Sequence, residues 1–202
     1  MEAKRRIVMF NWLTANGCFA GADGNLDWVV PDEQQGKAAV DGILLFDTVL
    51  FGRRTYELFE KFWNHPLDDS STAPDPHHPG QQTREHREIS IWLNEMNKLV
   101  FSKTLQNARW KNSRVLHELD RHEIEALKNQ PGKNMILFGS GSIVSQLTQH
   151  GLIDEYQFVV CPIVLGNGQP MLCNVSKNLK LDFLEAKPNR SGDVLLRYAL
   201  QN

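Results

Sequence analysis

Apolar and polar positions along the chain follow two periods, and each change of period marks a predicted element. The first run, Ile7 to Leu13 (IVMFNWL), is apolar apart from Asn11 and predicts a buried strand. Thr14 to Asp27 breaks the pattern with Gly17, Gly21 and Gly24 and predicts a long loop. Pro31-Asp32-Glu33 opens a helix, with proline in its first turn and acids at the positive end of its dipole. That helix is expected to run to about Phe46. A β-rich run from Thr48 to Phe51 stops at Gly52, and Arg53 to Phe62 (RRTYELFEKF) returns to helical spacing.

Asn64 to Arg84 has neither period. Pro66, Pro74, Pro76 and Pro79, four of the nine prolines, fall there with Asp68, Asp69, Ser70 and Ser71. With its flank it predicts an exposed insertion over residues 64–88, within one domain spanning 1–202. Ile89 to Asn97 predicts a short helix, Lys98 to Ser102 a strand and Arg114 to His117 another. Asp120 to Lys128 predicts a helix, with Asp120 and Glu123 at capping-box spacing. Met135 to Phe138 predicts a buried strand, and Ser140 to His150 a helix closed by Gly151. Tyr156 to Leu165, Leu181 to Glu185 and Val194 to Leu200 are expected strands. Strands alternating with helices predict an α/β fold on a mostly parallel sheet. The last strands follow one another without helices, which predicts an antiparallel edge and so a mixed sheet.

Composition narrows the classes. The 202 residues are 41% hydrophobic and 23% charged, enough for one globular core. A net charge of −2 gives no electrostatic reason to expect nucleic acid or an anionic membrane as partner. The longest apolar run, near Phe158 to Leu165, is interrupted by Pro162 and falls far short of the roughly 20 residues a bilayer span needs. The charged start, Met1 to Arg6, leads into a run containing Asn11, which is not a signal-peptide core. Cys18, Cys161 and Cys173 are scattered and form no CxxC pair, so a cytoplasmic, reducing home is expected. Cys161 lies in an apolar run and is expected to be a buried, inert thiol. His65, His77, His78 and His86 fall in the insertion without metal-ligand spacing, and no metal is expected.

Candidate chemistry gathers at three predicted strand ends. In Met135 to Gln146 (MILFGSGSIVSQ) a buried strand runs into Gly139-Ser140-Gly141-Ser142 and a helix begins at once. Glycines permit close backbone approach, and the helix N-terminus offers free N–H groups to phosphate. The same turn also serves as a plain strand-to-helix connection. In Leu50 to Glu57 (LFGRRTYE) the strand ends at Gly52, and Arg53, Arg54 and Thr55 stand at a helix start, where guanidinium forks suit phosphate. In Phe101 to Leu105 (FSKTL), Ser102, Lys103 and Thr104 follow a strand and suit a phosphate or ribose. Ligands of open α/β sheets bind at the carboxyl edge, where all three ends fall. Trp28 follows the glycine loop and is a candidate cleft wall.

These blocks resemble the dihydrofolate reductase-like superfamily, and within it the reductase domain of bifunctional riboflavin-biosynthesis deaminase-reductases and their stand-alone relatives. The likeness covers nearly the whole chain. IVMFNWLTANGCFAGADGNLDW resembles the family opening, LLFDTVLFGRRTYELF its Gly-Arg-x-Thr-Tyr-Glu segment, and KLVFSKTL the next cofactor strand. MILFGSGSIVSQLTQHGLIDEYQFVVCPIVLGNGQPML resembles its most specific block.

The resemblance implies a three-layer dihydrofolate reductase-like fold with helices on both faces of the sheet, NADPH as cofactor, hydride transfer and a homodimer. By position it implies that Gly139, Ser140, Gly141, Ser142, Ile143 and Val144 hold the pyrophosphate. Gly52, Arg53, Arg54 and Thr55 would lie at the phosphates, with an arginine near the 2′-phosphate, and Ser102, Lys103 and Thr104 would flank the ribose. A dianionic 2′-phosphate needs cations, so NADPH is expected over NADH. The nicotinamide would lie near Ala15 and Asn16 and near Leu165 and Gly166, with Trp28 beside the substrate. The family's Ser-Leu-Asp-Gly aspartate falls on Asn16, and an amide cannot exchange a catalytic proton. Asn16 and Asp27 are therefore the catalytic candidates at the strand end and loop, with Asp47 and Glu57 as further acids. The expected function is reduction of a small heterocycle similar to 5-amino-6-(5-phosphoribosylamino)uracil. The alternatives are a non-catalytic nucleotide-binding relative, a dihydrofolate reductase and a metal-binding module.

Overall fold

The apolar run IVMFNWL lies in the middle of the molecule, as strand β1 (Ile7–Thr14), with a parallel neighbour on each side. The computed structural model describes residues 4–29, 33–65, 67, 70, 72–74 and 82–201. After β1 come β2 (Cys18–Ala20), helix α1 (Glu33–Ile43), β3 (Phe46–Gly52) and α2 (Arg53–Trp63). Then follow β4 (Ala73–Pro74), β5 (Gln82–Thr83), α3 (Arg84–Glu95), β6 (Asn97–Phe101) and β7 (Ser113–Leu116). The chain continues through α4 (Arg121–Lys128), β8 (Asn134–Phe138), α5 (Gly141–Gln149), β9 (Glu155–Cys161), β10 (Gln169–Pro170), β11 (Leu181–Pro188) and β12 (Val194–Leu200).

The main sheet has eight strands in the order β11-β12-β9-β1-β8-β3-β6-β7. The six strands from β9 to β7 are parallel, and β12 and β11 join antiparallel at the edge. Alternation along each strand divides the core in two. Ile7, Met9, Leu50, Met135 and Leu137 pack with Ile124 of α4 and Val144 and Leu147 of α5. Val49, Phe51, Val100 and Ile136 pack on the other face with Tyr56 of α2 and Leu93 of α3. Helices therefore cover both faces, which is why the central strands read as unbroken apolar runs. This is the three-layer, mixed, mostly parallel architecture expected.

Several boundaries differ from expectation for local reasons. Helix α1 ends at Ile43, and Phe46 opens β3 instead of closing the helix. Helix α3 begins at Arg84, not Ile89, so residues 84–88 of the predicted insertion are helical. Its first turn, REHRE, carries no apolar stripe, and it is fixed by the Thr83 hydroxyl, which accepts from the His86 N–H, and by an Arg84–Glu88 pair. Ala73, inside the same stretch, is buried, not exposed. Strand β9 stops at Cys161, not Leu165, because Pro162 has no N–H for the ladder. The short strands β2, β4, β5 and β10 have too few residues for a visible period. Pro31, Asp32, Pro66, Asp68, Asp69, Ser71, Pro76, His77, His78 and Pro79 lie outside the described residues. Among those described, no helix is long and apolar enough to cross a membrane.

Candidate active site

The parallel order places the carboxyl ends of β3 and β8 side by side, and the two glycine turns interlock there. The Gly52 N–H donates to Ser140 Oγ at 2.8 Å, and the Ser140 N–H donates to Thr55 Oγ1 at 3.0 Å. Ser140 adopts a left-handed conformation, φ 58°, and Gly139 before it has φ 52°. A Cβ at Gly139 would stand 2.8 Å from Thr55 Oγ1, so glycine is required there by space as well as by backbone.

Both helices that start here lack a side-chain cap. Neither Gly52 before α2 nor Ser140 before α5 caps its helix, whereas Thr83 caps α3 and Asp120 caps α4. The Ser140 carbonyl accepts the Ile143 and Val144 amides, and both side chains are buried in the core. Of the predicted pyrophosphate residues, Gly141 and Ser142 stand in the first turn of α5, where helix amides have no intrahelical acceptor, while Ile143 and Val144 seat the helix. A groove of about 590 Å³ lined by Phe19, Gly141, Ser142, Gln146, Gly168 and Gln169 opens beside these amides.

Arg53 and Arg54 are both exposed at the start of α2, and Arg53 pairs with Glu57 at 3.1 Å. The third strand end is built as a turn. Ser102 is buried and its hydroxyl accepts the Thr104 and Leu105 amides, which leaves Lys103 and Thr104 exposed beside it.

Asn16 is tied into a latch. Its Nδ2 donates to the Leu165 carbonyl at 2.9 Å, and its Oδ1 accepts from the Leu165 N–H at 3.2 Å and from Thr14 Oγ1 at 2.7 Å. The neighbouring Ala15 N–H donates to Ile163 O. The latch joins the end of β1 to the segment carrying Leu165 and Gly166, and it occupies both ends of the amide. Asp27 is exposed, whereas Trp28 is buried with Val29 and Cys161, against Trp12 and Leu165. Asp47 stands at the opposite edge of the sheet, held by Arg5, Thr48 Oγ1 and the Lys133 N–H. It is structural, and Glu57 is committed to Arg53.

One feature escaped the sequence reading. Phe10 and Trp12 on β1, Phe138 on β8 and Phe59 on α2 form a row of half-buried rings at the carboxyl end of the central strands. Centroids step 5.5 Å from Trp12 to Phe10, 6.1 Å to Phe138 and 5.5 Å to Phe59. The signal was the alternate spacing of Phe10 and Trp12 within a run that otherwise reads as core.

Cys18 and Cys161 are buried and Cys173 is exposed; all three are free thiols. Burial pushes the Cys161 thiol up to about 11, with Asp193 adding to the rise, so it is unreactive. Among the described residues no cluster of His, Cys, Asp and Glu is disposed to hold a metal ion.

The sheet order, the paired glycine turns and the layers define a dihydrofolate reductase-like α/β domain. Residues 5–195 match the RibD C-terminal domain, and the chain belongs to that family. It is 27% identical over 195 residues to the uncharacterized protein YyaP of Bacillus subtilis (strain 168), covering 96% of this chain and 95% of that one. A putative riboflavin biosynthesis protein from Shewanella sp. PV-4 superposes with a TM-score of 0.72 at 19% identity, covering 98% and 99% of the two chains. The dihydrofolate reductase of Enterococcus faecalis, complexed with NADP(H), superposes with a TM-score of 0.63 at 13% identity over 99% of each chain.

Proposed function

We propose that this chain is an NADPH-dependent reductase of a small planar heterocycle. The observation that carries the reading is the pair of uncapped helix N-termini, α2 and α5, pinned together through Ser140 and Thr55 with two arginines beside them. First-turn amides and a positive dipole end suit a pyrophosphate. Arg53, Arg54 and Lys103 suit a 2′-phosphate, and the donors present fit this cofactor. When bound, the cofactor supplies a hydride. The chain's part is to bind, orient and exclude water. The Asn16 latch holds the end of β1 against Leu165, and the aromatic row offers a wall for the ring to be reduced. Membership of the RibD C-terminal domain family supports a reductase.

The deciding experiment is thermal unfolding with NADPH and, separately, with NADH. A ligand at about 100 times its Kd stabilises by roughly 2.7 kcal/mol. For a chain of this size that is a rise of roughly 5–10 °C, expected with NADPH and smaller with NADH at equal concentration. No rise with either nucleotide at saturation favours the second reading, a relative that kept the fold without catalysis. The amide at position 16 is the observation behind that second reading. A cytoplasmic homodimer completes the proposal. Phe183 on the edge strand β11 is 63% exposed beside Tyr198 and Leu181, an uncharged face that suits a second copy of itself. Sedimentation of wild type against Phe183→Asp tests it, and a monomeric wild type overturns it.

A further inference from the structure

We infer that His117 is a further contact for the cofactor's 2′-phosphate and makes the preference for NADPH over NADH depend on pH. The inference rests on the reductase reading and names a residue that sets which nucleotide the site prefers.

Strand register brings His117 to the proposed phosphate edge. Gly52 on β3 is level with Phe101 on β6, and Phe101 is level with Leu116 on β7. Arg53, Ser102 and His117 are therefore the first residues beyond a single row, on three neighbouring parallel strands. Neighbouring strands lie about 4.8 Å apart, so the ends of β3 and β7 are separated by about 10 Å. Arg53 and Arg54 stand at one side of that span, Lys103 follows the middle strand, and His117 stands at the other side. All four are exposed.

The imidazole is tied to the neighbouring strand end through one ring nitrogen. The ladder between β6 and β7 continues one step past the strands, with the Ser102 N–H donating to Leu116 O at 2.9 Å. His117 Nδ1 then lies 3.0 Å from Ser102 O. A carbonyl only accepts, so Nδ1 carries the proton, and neutral His117 has its lone pair on Nε2. The second proton must go to Nε2, which has no partner among the described residues. Protonation turns Nε2 from an acceptor into a charged donor suited to a phosphate oxygen. Ser102, whose carbonyl holds the ring, also uses its hydroxyl to fold the turn that exposes Lys103 and Thr104. The ring and the turn are thus one assembly.

The charged groups on the elements beside the ring are mostly paired with one another. Arg53 on the β3 side shares its charge with Glu57, and Lys103 is the cation on the β6 side. Asp120 accepts the Glu123 N–H, and Glu123 pairs with Arg114 of β7. Glu125 of α4 is held by Arg121, with His122 3.9 Å away. Glu118, the residue after His117, is exposed and in no ion pair among the described residues. Carboxylates, amines and guanidinium groups keep their charge across the neutral range, whereas an imidazole changes its own there. His117 and His122 are the imidazoles of this stretch, and only His117 lies at the level of the phosphate edge.

The test is calorimetric titration with NADPH and with NADH at about pH 6.5 and about pH 8.5, above the range near pH 6 where a phosphate monoester takes up its second proton. The wild-type ratio of the two affinities is expected to be about fivefold higher at the lower pH, within the worth of one charge-assisted hydrogen bond. His117→Gln, which removes the charge, is expected to show the lower ratio at both pH values with NADH affinity unchanged. His117→Lys, charged throughout, is expected to hold the higher ratio at both. Three results overturn the inference while NADPH still binds and the reductase reading stands. They are a wild-type ratio that is flat with pH, a His117→Gln that weakens NADPH and NADH alike, and a pH dependence that persists in His117→Gln. If neither nucleotide binds or raises the melting temperature, the reductase reading fails and the role of His117 with it.

Discussion

Gly52 and Ser140, 88 residues apart in sequence, are joined by a 2.8 Å hydrogen bond from the Gly52 N–H to Ser140 Oγ. The bond ties the start of α2 to the start of α5, so neither uncapped helix end can move without the other. A serine in that left-handed position does what a helix cap would do elsewhere, but for its neighbour's backbone.

Ser140→Ala leaves the buried Gly52 N–H without an acceptor, which costs about 1–3 kcal/mol. It also loosens the register between the two helix ends. Urea denaturation is expected to show the loss of stability, and titration a weaker response to NADPH. Gly139→Ala is expected to be more severe, since its Cβ meets Thr55 at 2.8 Å in a backbone region alanine avoids. A wild-type NADPH response in Gly139→Ala would separate this turn from the cofactor.

Arg54→Ala is expected to cut NADPH affinity about tenfold or more and to leave NADH affinity nearly unchanged. A guanidinium bonded to a phosphate contributes about 1.5–3 kcal/mol. Arg53 already shares its charge with Glu57, so Arg53→Ala should have the smaller effect. Calorimetric titration of both variants with both nucleotides checks the order, and equal losses for NADPH and NADH would move the 2′-phosphate elsewhere.

The fold was readable because its elements announce themselves at both ends. Asp120 caps α4, as its spacing with Glu123 predicts, although the Glu123 carboxylate turns to Arg114 instead of back to the cap. Gly151 closes α5 at φ 66°, and β12 has the predicted bounds Val194–Leu200. The site was legible only as segments. That Ser140 bonds Gly52, or that Asn16 grips Leu165, depends on strand neighbours distant in sequence. The aromatic row was hidden because Phe10 and Trp12 read as core until the sheet order shows what leaves them uncovered.

Asn16→Asp tests whether an acid can be restored at the end of β1. The wild-type amide donates through Nδ2 to Leu165 O and accepts the Leu165 N–H on Oδ1. A carboxylate keeps the second bond but sets an oxygen against a carbonyl oxygen in place of the first. The expected result is a loss of about 1–3 kcal/mol in stability, measured by denaturation, with no gain in reductase rate. Recovery of a pH-dependent rate with unchanged stability would show that position 16 tolerates an acid and that the latch is dispensable.

Lys98 carries the clearest pH signature. It is wholly buried at the start of β6, its Nζ donating to Met96 O at 2.9 Å and Lys111 O at 3.1 Å, with the Trp110 ring 4.5 Å away. Burial, with Lys111 adding repulsion, lowers its pKa from 10.5 to about 8. The unfolded chain therefore holds this proton more tightly than the folded one, and between about pH 8 and pH 10.5 stability rises with pH. The contribution is fully present above the unfolded value and lost as pH falls through about 8, for a total of order 3 kcal/mol. Tyr56 and Tyr156, both raised by burial, act in the opposite sense only where tyrosine ionises, above about pH 10. Urea denaturation from pH 7 to about 9.5 should thus show rising stability in the wild type. Lys98→Met should be less stable throughout, because it leaves the carbonyls of Met96 and Lys111 without their donor, yet flat over that range. A wild-type profile as flat as that of Lys98→Met would mean that the carbonyls and the Trp110 face hold the ammonium charged to far higher pH.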